Sequence, residues 1–219
     1  MFQKELILLV GVAVAVVVMV VGIASLAVRA VQHDASMVVL DTLPGLVSAG
    51  EAMERLNENW FTAHLLLETG TPAERARLIS NIDSNSTAEL WRRYGESIYD
   101  SRDAQLFRDM ENARAEFMSA RSNYFHLVQS GRITEARDFF KSPLAAGFKK
   151  YREAAGSIFI LNAEVGQQRA DRIIRLSRWT PYVLGGLCVI ILLTGVFIGF
   201  KASLGAFSRP WNDSADRGT

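Results

Sequence analysis

Residues capable of catalysis or metal binding are few and scattered in this chain. The histidines are His33, His64 and His126, and the one cysteine, Cys188, has no second cysteine to pair with. Metal sites and catalytic sites use closely spaced ligands, glycine-rich phosphate loops or a nucleophile elbow, and none of these patterns occurs. The sequence therefore predicts that the protein is not an enzyme and holds no metal or cofactor.

Four arginines form a row at intervals of three residues, at positions Arg169, Arg172, Arg175 and Arg178. On a helix such a row could bind anionic lipid head groups or an acidic partner, or its side chains could snorkel at a bilayer surface. The formal net charge of the whole chain is only +1, so we do not expect a nucleic-acid partner.

A layer of aromatic and hydrogen-bonding side chains is the candidate site for a small-molecule ligand. It lies roughly eight residues from the turns at one end of a helical bundle, if each residue rises about 1.5 Å. The polar run from Ser80 to Thr87 loosens core packing near this height. Alternatively, the aromatic members are core residues and the polar ones face water. The candidate ligand residues are Trp60, His64, Asn81, Asn123, Tyr124 and Lys141.

Two uncharged apolar runs flank the central segment. Leu6 to Val28 and Thr180 to Phe200 are each about 20 residues or more, enough for a helix to cross about 30 Å of hydrocarbon. The first run could instead be a cleaved signal peptide, although it exceeds the roughly 7 to 15 apolar residues of such segments. Both runs are predicted to be transmembrane helices.

Two spans place both termini on one side of the membrane. Lys4, Lys201 and Arg209 mark the termini as cytoplasmic, and a central segment longer than about 60 residues is translocated largely regardless of its charge. We expect a two-pass membrane protein with its central domain outside the cytoplasm, periplasmic or extracellular. The predicted regions are a cytoplasmic N-terminus at 1–5, spans at 6–28 and 180–200, an extracytoplasmic four-helix-bundle domain at 29–179 and a cytoplasmic tail at 201–219.

The central segment reads as four helices, at about 33–68, 73–99, 104–130 and 134–178. Gly70, Thr71, Pro72 and Glu74 combine a C-terminal glycine with a capping box and a first-turn proline, which indicates a helix-to-helix turn. Apolar residues recur every three or four positions in the first, third and fourth helices. The sequence predicts an all-α, antiparallel up-down-up-down four-helix bundle flanked by two transmembrane helices.

Several short motifs, in this order between two spans, resemble the four-helix-bundle sensor domains of methyl-accepting chemotaxis proteins. The residues that carry the resemblance are the run Asp41 to Leu46, the run Leu90 to Tyr94, then Phe117, Arg121 and Tyr124, and finally Gly131, Glu135 and Ala136. The resemblance implies a homodimer that detects a small molecule outside the cell. It also implies that segment 29–179 is a sensor domain, that the protein lies in the bacterial inner membrane, and that a helix displacement passes through the second span to a HAMP domain.

The chain departs from this family after the second span. Phe207 to Trp211 resembles the opening of a HAMP segment, and Asn212 to Thr219 is expected to be a disordered tail. From the sequence we therefore expect a truncated receptor, a stand-alone sensor or the partner of a complete receptor, and the sequence leaves these three alternatives open.

Two functions remain open. The first is a sensory receptor module that binds a ligand, and the second is a structural or accessory membrane protein whose bundle mediates assembly. Small residues one turn apart, Gly11 with Ala15 and Gly195 with Gly199, favour a homodimer through the spans, although the second pair could also pack the two spans of one subunit. Asn162, on the apolar stripe of the fourth helix, is expected to fix helix register.

Overall fold

The computed structural model describes residues 2–98 and 100–207, and these residues form helices joined by short turns, with no strand. The predicted HAMP-like opening beyond Phe207 and the polar tail lie outside the described residues. The helices are α1 (Phe2–Met37), α2 (Leu43–Glu68), α3 (Pro72–Ser84), α4 (Ala88–Glu96), α5 (Ser101–Gln129), α6 (Ile133–Phe139) and α7 (Ala145–Phe207), with π-helical turns at Val38–Thr42 and Phe140–Leu144.

The chain divides into two compact units. Ala35–Ala170 forms the bundle unit, and the flanking segments Met1–Asp34 and Asp171–Thr219 form the other. The bundle unit has four helical legs: the first π turn with α2, then α3 with α4, then α5, and finally α6 with the start of α7. The predicted all-α four-helix bundle is confirmed.

The flanking unit contains apolar helices whose side chains face outward. Two helical stretches, within Val14–Glu68 and within Ile133–Phe197, are long and apolar enough to cross a membrane by length and composition. Side chains such as Leu26, Leu192 and Val196 are more than 60 % exposed. Such a surface is stable in hydrocarbon and costly in water.

The turn between α2 and α3 has the predicted capping box. The Thr71 hydroxyl accepts a hydrogen bond from the Glu74 amide at 3.3 Å and donates to the Glu74 carboxylate at 2.7 Å, while Pro72 begins the helix. After α5, Gly131 adopts a positive φ of 73°, a conformation that costs little only for glycine.

The second predicted helix is wrong in one respect, because it breaks at Asn85–Thr87 into α3 and α4. Helix α2 supplies partners for the carbonyl groups that the break releases. The Asn59 amide donates to the Asn85 carbonyl at 2.9 Å, and the Arg55 guanidinium donates to the Ser86 carbonyl at 3.1 Å. A helix end is stable when its carbonyl groups find partners, so side chains of another helix stabilise this break.

Each π turn has a proline inside it or close behind it. Pro143 lies within the second turn, and Pro44 follows the first by two residues. A proline cannot donate to the helical ladder, and its ring clashes with the carbonyl group four residues earlier. A local π turn is one way in which a helix accommodates this disruption without ending.

The predicted apolar stripes form the core. Tyr151 lies at its centre, where its hydroxyl accepts a hydrogen bond from the Trp91 indole at 2.6 Å and lies 3.0 Å from the Thr87 hydroxyl. Buried residues that the stripes predict include Ala49, Leu56, Ala63, Met110, Ala113, Phe117, Tyr124, Ala155 and Ile158. The three-four spacing identified the inward faces because it matches the helical period.

Candidate functional site

A polar cavity of about 240 Å³ lies at one end of the bundle unit, where the first π turn, the start of α5 and a segment of α7 meet. Its walls combine charged, polar and apolar side chains, as small-molecule sites do. The lining residues are Asp41, Asp100, Asp103, Leu161, Asn162, Val165 and Arg169. This cavity is the candidate functional site.

Arg169 connects α7 to the first π turn. Its Nη1 donates to the Asp41 carboxylate at 2.8 Å, to the Thr42 hydroxyl at 2.7 Å and to the Met37 carbonyl at 3.1 Å. The side chains of Arg169 and Asp41 are 20 % and 17 % exposed, so their charges are only partly screened by water. One guanidinium thus holds the backbone and two side chains of the π turn against α7.

A buried chain of hydrogen bonds includes two residues of the cavity lining, Asp103 and Asn162. Asn162 Nδ2 donates to the Tyr94 hydroxyl at 2.7 Å and to the Ile158 carbonyl at 3.0 Å, and the Tyr94 hydroxyl donates to Asp103 Oδ1 at 2.6 Å. These residues come from α4, α5 and α7. A buried hydrogen-bond network restricts the positions of its members, and this network joins three helices.

The carboxylates give the cavity a negative character. Burial raises the pKa of Asp103, the hydrogen bond from Tyr94 opposes this shift, and the nearby charges of Asp41 and Asp100 raise the pKa further. Burial, followed by the interaction with Asp103, also raises the pKa of Tyr94, so this hydroxyl stays protonated. Three carboxylates and one guanidinium line the cavity, a formal charge of −2 when all are ionised.

Two glycines allow α7 to approach the first leg closely beside the cavity. A Cβ atom on Gly45 would lie 2.6 Å from Asn162 Oδ1, and a Cβ atom on Gly166 would lie 2.7 Å from Thr42 Cγ2. Real Cβ atoms are essentially never found at such distances. The Asn162 and Thr42 contacts therefore depend on the absence of a side chain at these positions.

The predicted ligand layer is only partly assembled. Trp60 stacks on Phe140 and on Phe148, with ring centroids 4.3 Å apart in both pairs, and the edge of His64 meets Phe140 at 5.5 Å. The Tyr124 hydroxyl donates to the Ala63 carbonyl at 2.6 Å, and the ring of Tyr124 also lies against Phe140. The structure thus brings Trp60, His64 and Tyr124 together around Phe140.

The other three predicted ligand residues lie on the surface of the bundle unit rather than inside the aromatic cluster. Asn81, Asn123 and Lys141 are all exposed. Ligand binding by the six predicted residues stays a prediction.

The residues of the cavity were not predicted to form a site. The sequence identifies Asp41 only as part of the run that carries the family resemblance. It predicts that Asn162 fixes helix register and that Arg169 faces lipid or an acidic partner. An amide on an otherwise apolar stripe was the one available signal, because a buried amide needs partners.

The arginine row divides between the two units. Arg169 pairs with Asp41 in the bundle unit, and Arg172 pairs with the buried Asp34 at 3.5 Å in the flanking unit. Arg175 and Arg178 are exposed, so binding of lipid head groups remains a prediction for these two. Among the described residues, no group of three or more His, Cys, Asp or Glu side chains could hold a metal ion.

The comparisons with known proteins agree with this architecture. A family model described as a four helix bundle sensory module for signal transduction matches residues 3–175. That description is of a signalling module rather than a catalytic domain. A search of curated proteins finds no match.

Proposed function

This chain belongs to the family of four-helix-bundle sensory modules for signal transduction, and from this premise we propose that it detects a small molecule outside the cytoplasm and transmits the event as a helix displacement. The family membership supports a receptor of the chemotaxis type. The polar cavity of the bundle unit is the observation that carries the proposal, since it offers charged and apolar walls to a ligand.

The proposed transmission runs through Arg169. This residue lies on α7 and holds the first π turn, which directly follows α1, and α1 and α7 contain the two candidate spans. A ligand shifts a conformational equilibrium only if it binds one state more tightly than the other. A ligand beside Asp41 and Arg169 would bind the two states with different affinities if the first π turn or α7 changes position between them.

Small-molecule detection can be tested by thermal unfolding of the full-length chain in lipid nanodiscs. A library of amino acids, amines, organic acids and sugars should contain compounds that raise the unfolding midpoint. A ligand at about 100 times its Kd stabilises a protein by about 2.7 kcal/mol, which corresponds to roughly 5 to 10 °C for a chain of this size. If no compound raises the midpoint, the accessory, assembly-mediating function is favoured instead.

The proposed location is the bacterial cytoplasmic membrane, with both termini inside and the bundle unit outside. Ser119 is exposed on α5 and suits a cysteine-accessibility test. In a Cys188→Ala background, the Ser119→Cys chain should react with a membrane-impermeant maleimide in intact spheroplasts. A Ser203→Cys chain is the control and should react only after lysis. The reverse pattern would refute the topology.

We also propose that the chain is a homodimer. Apolar side chains on the first leg face outward, among them Leu40, Leu43 and Val47, which are 69 %, 49 % and 64 % exposed. A Cβ atom on Gly11 would meet nothing within 4 Å, so this face of α1 is open to another helix. Disulfide scanning along the first span should give cross-links between subunits that vary with helical period and peak near Gly11 and Ala15. Absence of cross-links along both spans in native membranes would indicate a monomer.

A further inference from the structure

The polar cavity has a charge imbalance that points to one class of ligand. Arg169 and Asp41 neutralise each other through their 2.8 Å ion pair. Arg169 is the only cationic residue that lines the cavity, so no lining cation is left for Asp103, which is buried, or for Asp100, which is exposed. A buried carboxylate is costly unless a positive charge or hydrogen-bond donors reach it, so a cation beside Asp103 is the ligand that improves this site.

Asp103 is the residue best placed to meet such a cation. It is only 8 % exposed, yet it lines the cavity. The Tyr94 hydroxyl donates to Oδ1 of Asp103, and Oδ2 is the oxygen to which a ligand in the cavity would donate. Asp100 adds a second carboxylate, whose Oδ1 caps α5 by accepting from the Arg102 and Asp103 amides.

The geometry disfavours other ligand classes. The three carboxylates do not converge as a metal-binding group among the described residues, and the formal charge of −2 of the lining residues, when all are ionised, disfavours an anion. Quaternary ammonium ions are recognised by cages of aromatic rings, and none of the cavity's lining residues is aromatic. A primary ammonium group, with three N–H donors, suits separate carboxylate acceptors.

The size and the apolar wall limit the rest of the ligand. A volume of about 240 Å³ is below the range of about 300 to 1,000 Å³ for drug-sized ligands. Leu161 and Val165 form the apolar part of the wall, which suits a short alkyl chain. Resting on the proposed function, we infer that the cavity binds a small primary alkylammonium ion, with Asp103 as its principal counter-charge and Asp100 as the second.

The binding test uses the full-length chain in nanodiscs near pH 7, with propylammonium and 1,3-diaminopropane as probes. Propionate, propanol and tetramethylammonium are matched in size but lack the primary ammonium group. Both amines should raise the unfolding midpoint in a concentration-dependent manner, and isothermal titration should give saturable binding. The three control compounds should have no effect at the same concentrations.

Two variants assign the binding to the cavity. Asp103→Asn removes the charge but keeps an oxygen for the Tyr94 hydroxyl, and it should weaken amine binding about tenfold or more, the usual effect of losing a charge-assisted hydrogen bond. Asp109→Asn changes an exposed carboxylate on the same helix and should bind like the unchanged chain. If Asp103→Asn does not fold, Asp100→Asn replaces it, since asparagine caps helices as well as aspartate, and it should also weaken binding.

The outcomes separate this inference from the proposed function. If the amines do not bind, if propionate binds as well as they do, or if every folded variant retains full amine affinity, the ammonium assignment is wrong. A different compound from the library that stabilises the chain would then leave small-molecule detection standing. If neither the amines nor any library compound binds, both proposals fail.

Discussion

Replacement of Gly45 by alanine tests whether the close approach of α2 and α7 holds the polar network in place. The new Cβ atom would lie 2.6 Å from Asn162 Oδ1 and 3.4 Å from Tyr94 Cε2. Asn162 cannot simply turn away, because its Nδ2 donates to the Tyr94 hydroxyl and to the Ile158 carbonyl. The substitution must therefore displace the helices or break a buried hydrogen bond.

The expected magnitude combines three contributions. Alanine is preferred over glycine within a helix by roughly 0.5 to 1 kcal/mol. Overpacking a well-packed core costs about 1 to 3 kcal/mol, and leaving a buried polar group without its partner costs about 1 to 3 kcal/mol. The two costs less the helix preference of alanine give a decrease of about 1 to 5.5 kcal/mol in the free energy of unfolding for Gly45→Ala.

Denaturant unfolding of the full-length chain in detergent, followed by circular dichroism, measures this change. Gly50→Ala is the matched control on the same helix, because its Cβ atom would lie 3.8 Å from Phe159, an ordinary van der Waals distance. That variant should be neutral or slightly stabilised. Combining Gly45→Ala with Asn162→Ala should cost less than the two single changes together, since the second change removes the clash. Equal stability of the Gly45 and Gly50 variants, or strict additivity in the double variant, would refute the reasoning.

Three further predictions concern the core and the acidic wall. Phe117→Ala should lower the free energy of unfolding by about 3 to 5 kcal/mol, because Phe117 is buried. The same change at Phe61, which is 65 % exposed, should cost far less in the same denaturation assay. Tyr151→Phe should cost about 1 to 3 kcal/mol in denaturant unfolding, because it leaves the buried Trp91 indole without its acceptor. The pKa of Asp103 is raised in the folded state, so the folded chain binds this proton more tightly than the unfolded chain does. The resulting stabilisation is present below the ordinary pKa of 3.8 and is lost as pH rises through the raised pKa. Asp103→Asn has no carboxyl group to titrate, so its free energy of unfolding should increase relative to that of the unchanged chain as pH rises through this window, and a difference that does not change with pH would contradict the shift.

Local signals in the sequence determined the helices and their inward faces. The capping box at Thr71 and Glu74 predicted where α3 begins, because a cap depends on residues only three positions apart. The three-four spacing around Leu56 and Phe117 identified core residues, since the helical period alone decides which side chains share a face. These features required no knowledge of the partner helices.

Tertiary structure decided the break in the second leg and the make-up of the cavity. The break at Asn85 to Thr87 depends on donors from Asn59 and Arg55 on α2, which no pattern within the second leg reveals. The ion pair between Asp41 and Arg169 joins residues 128 positions apart. Propensity and periodicity act over a few residues, whereas the register between helices that brings distant charges together is set by packing of the whole bundle.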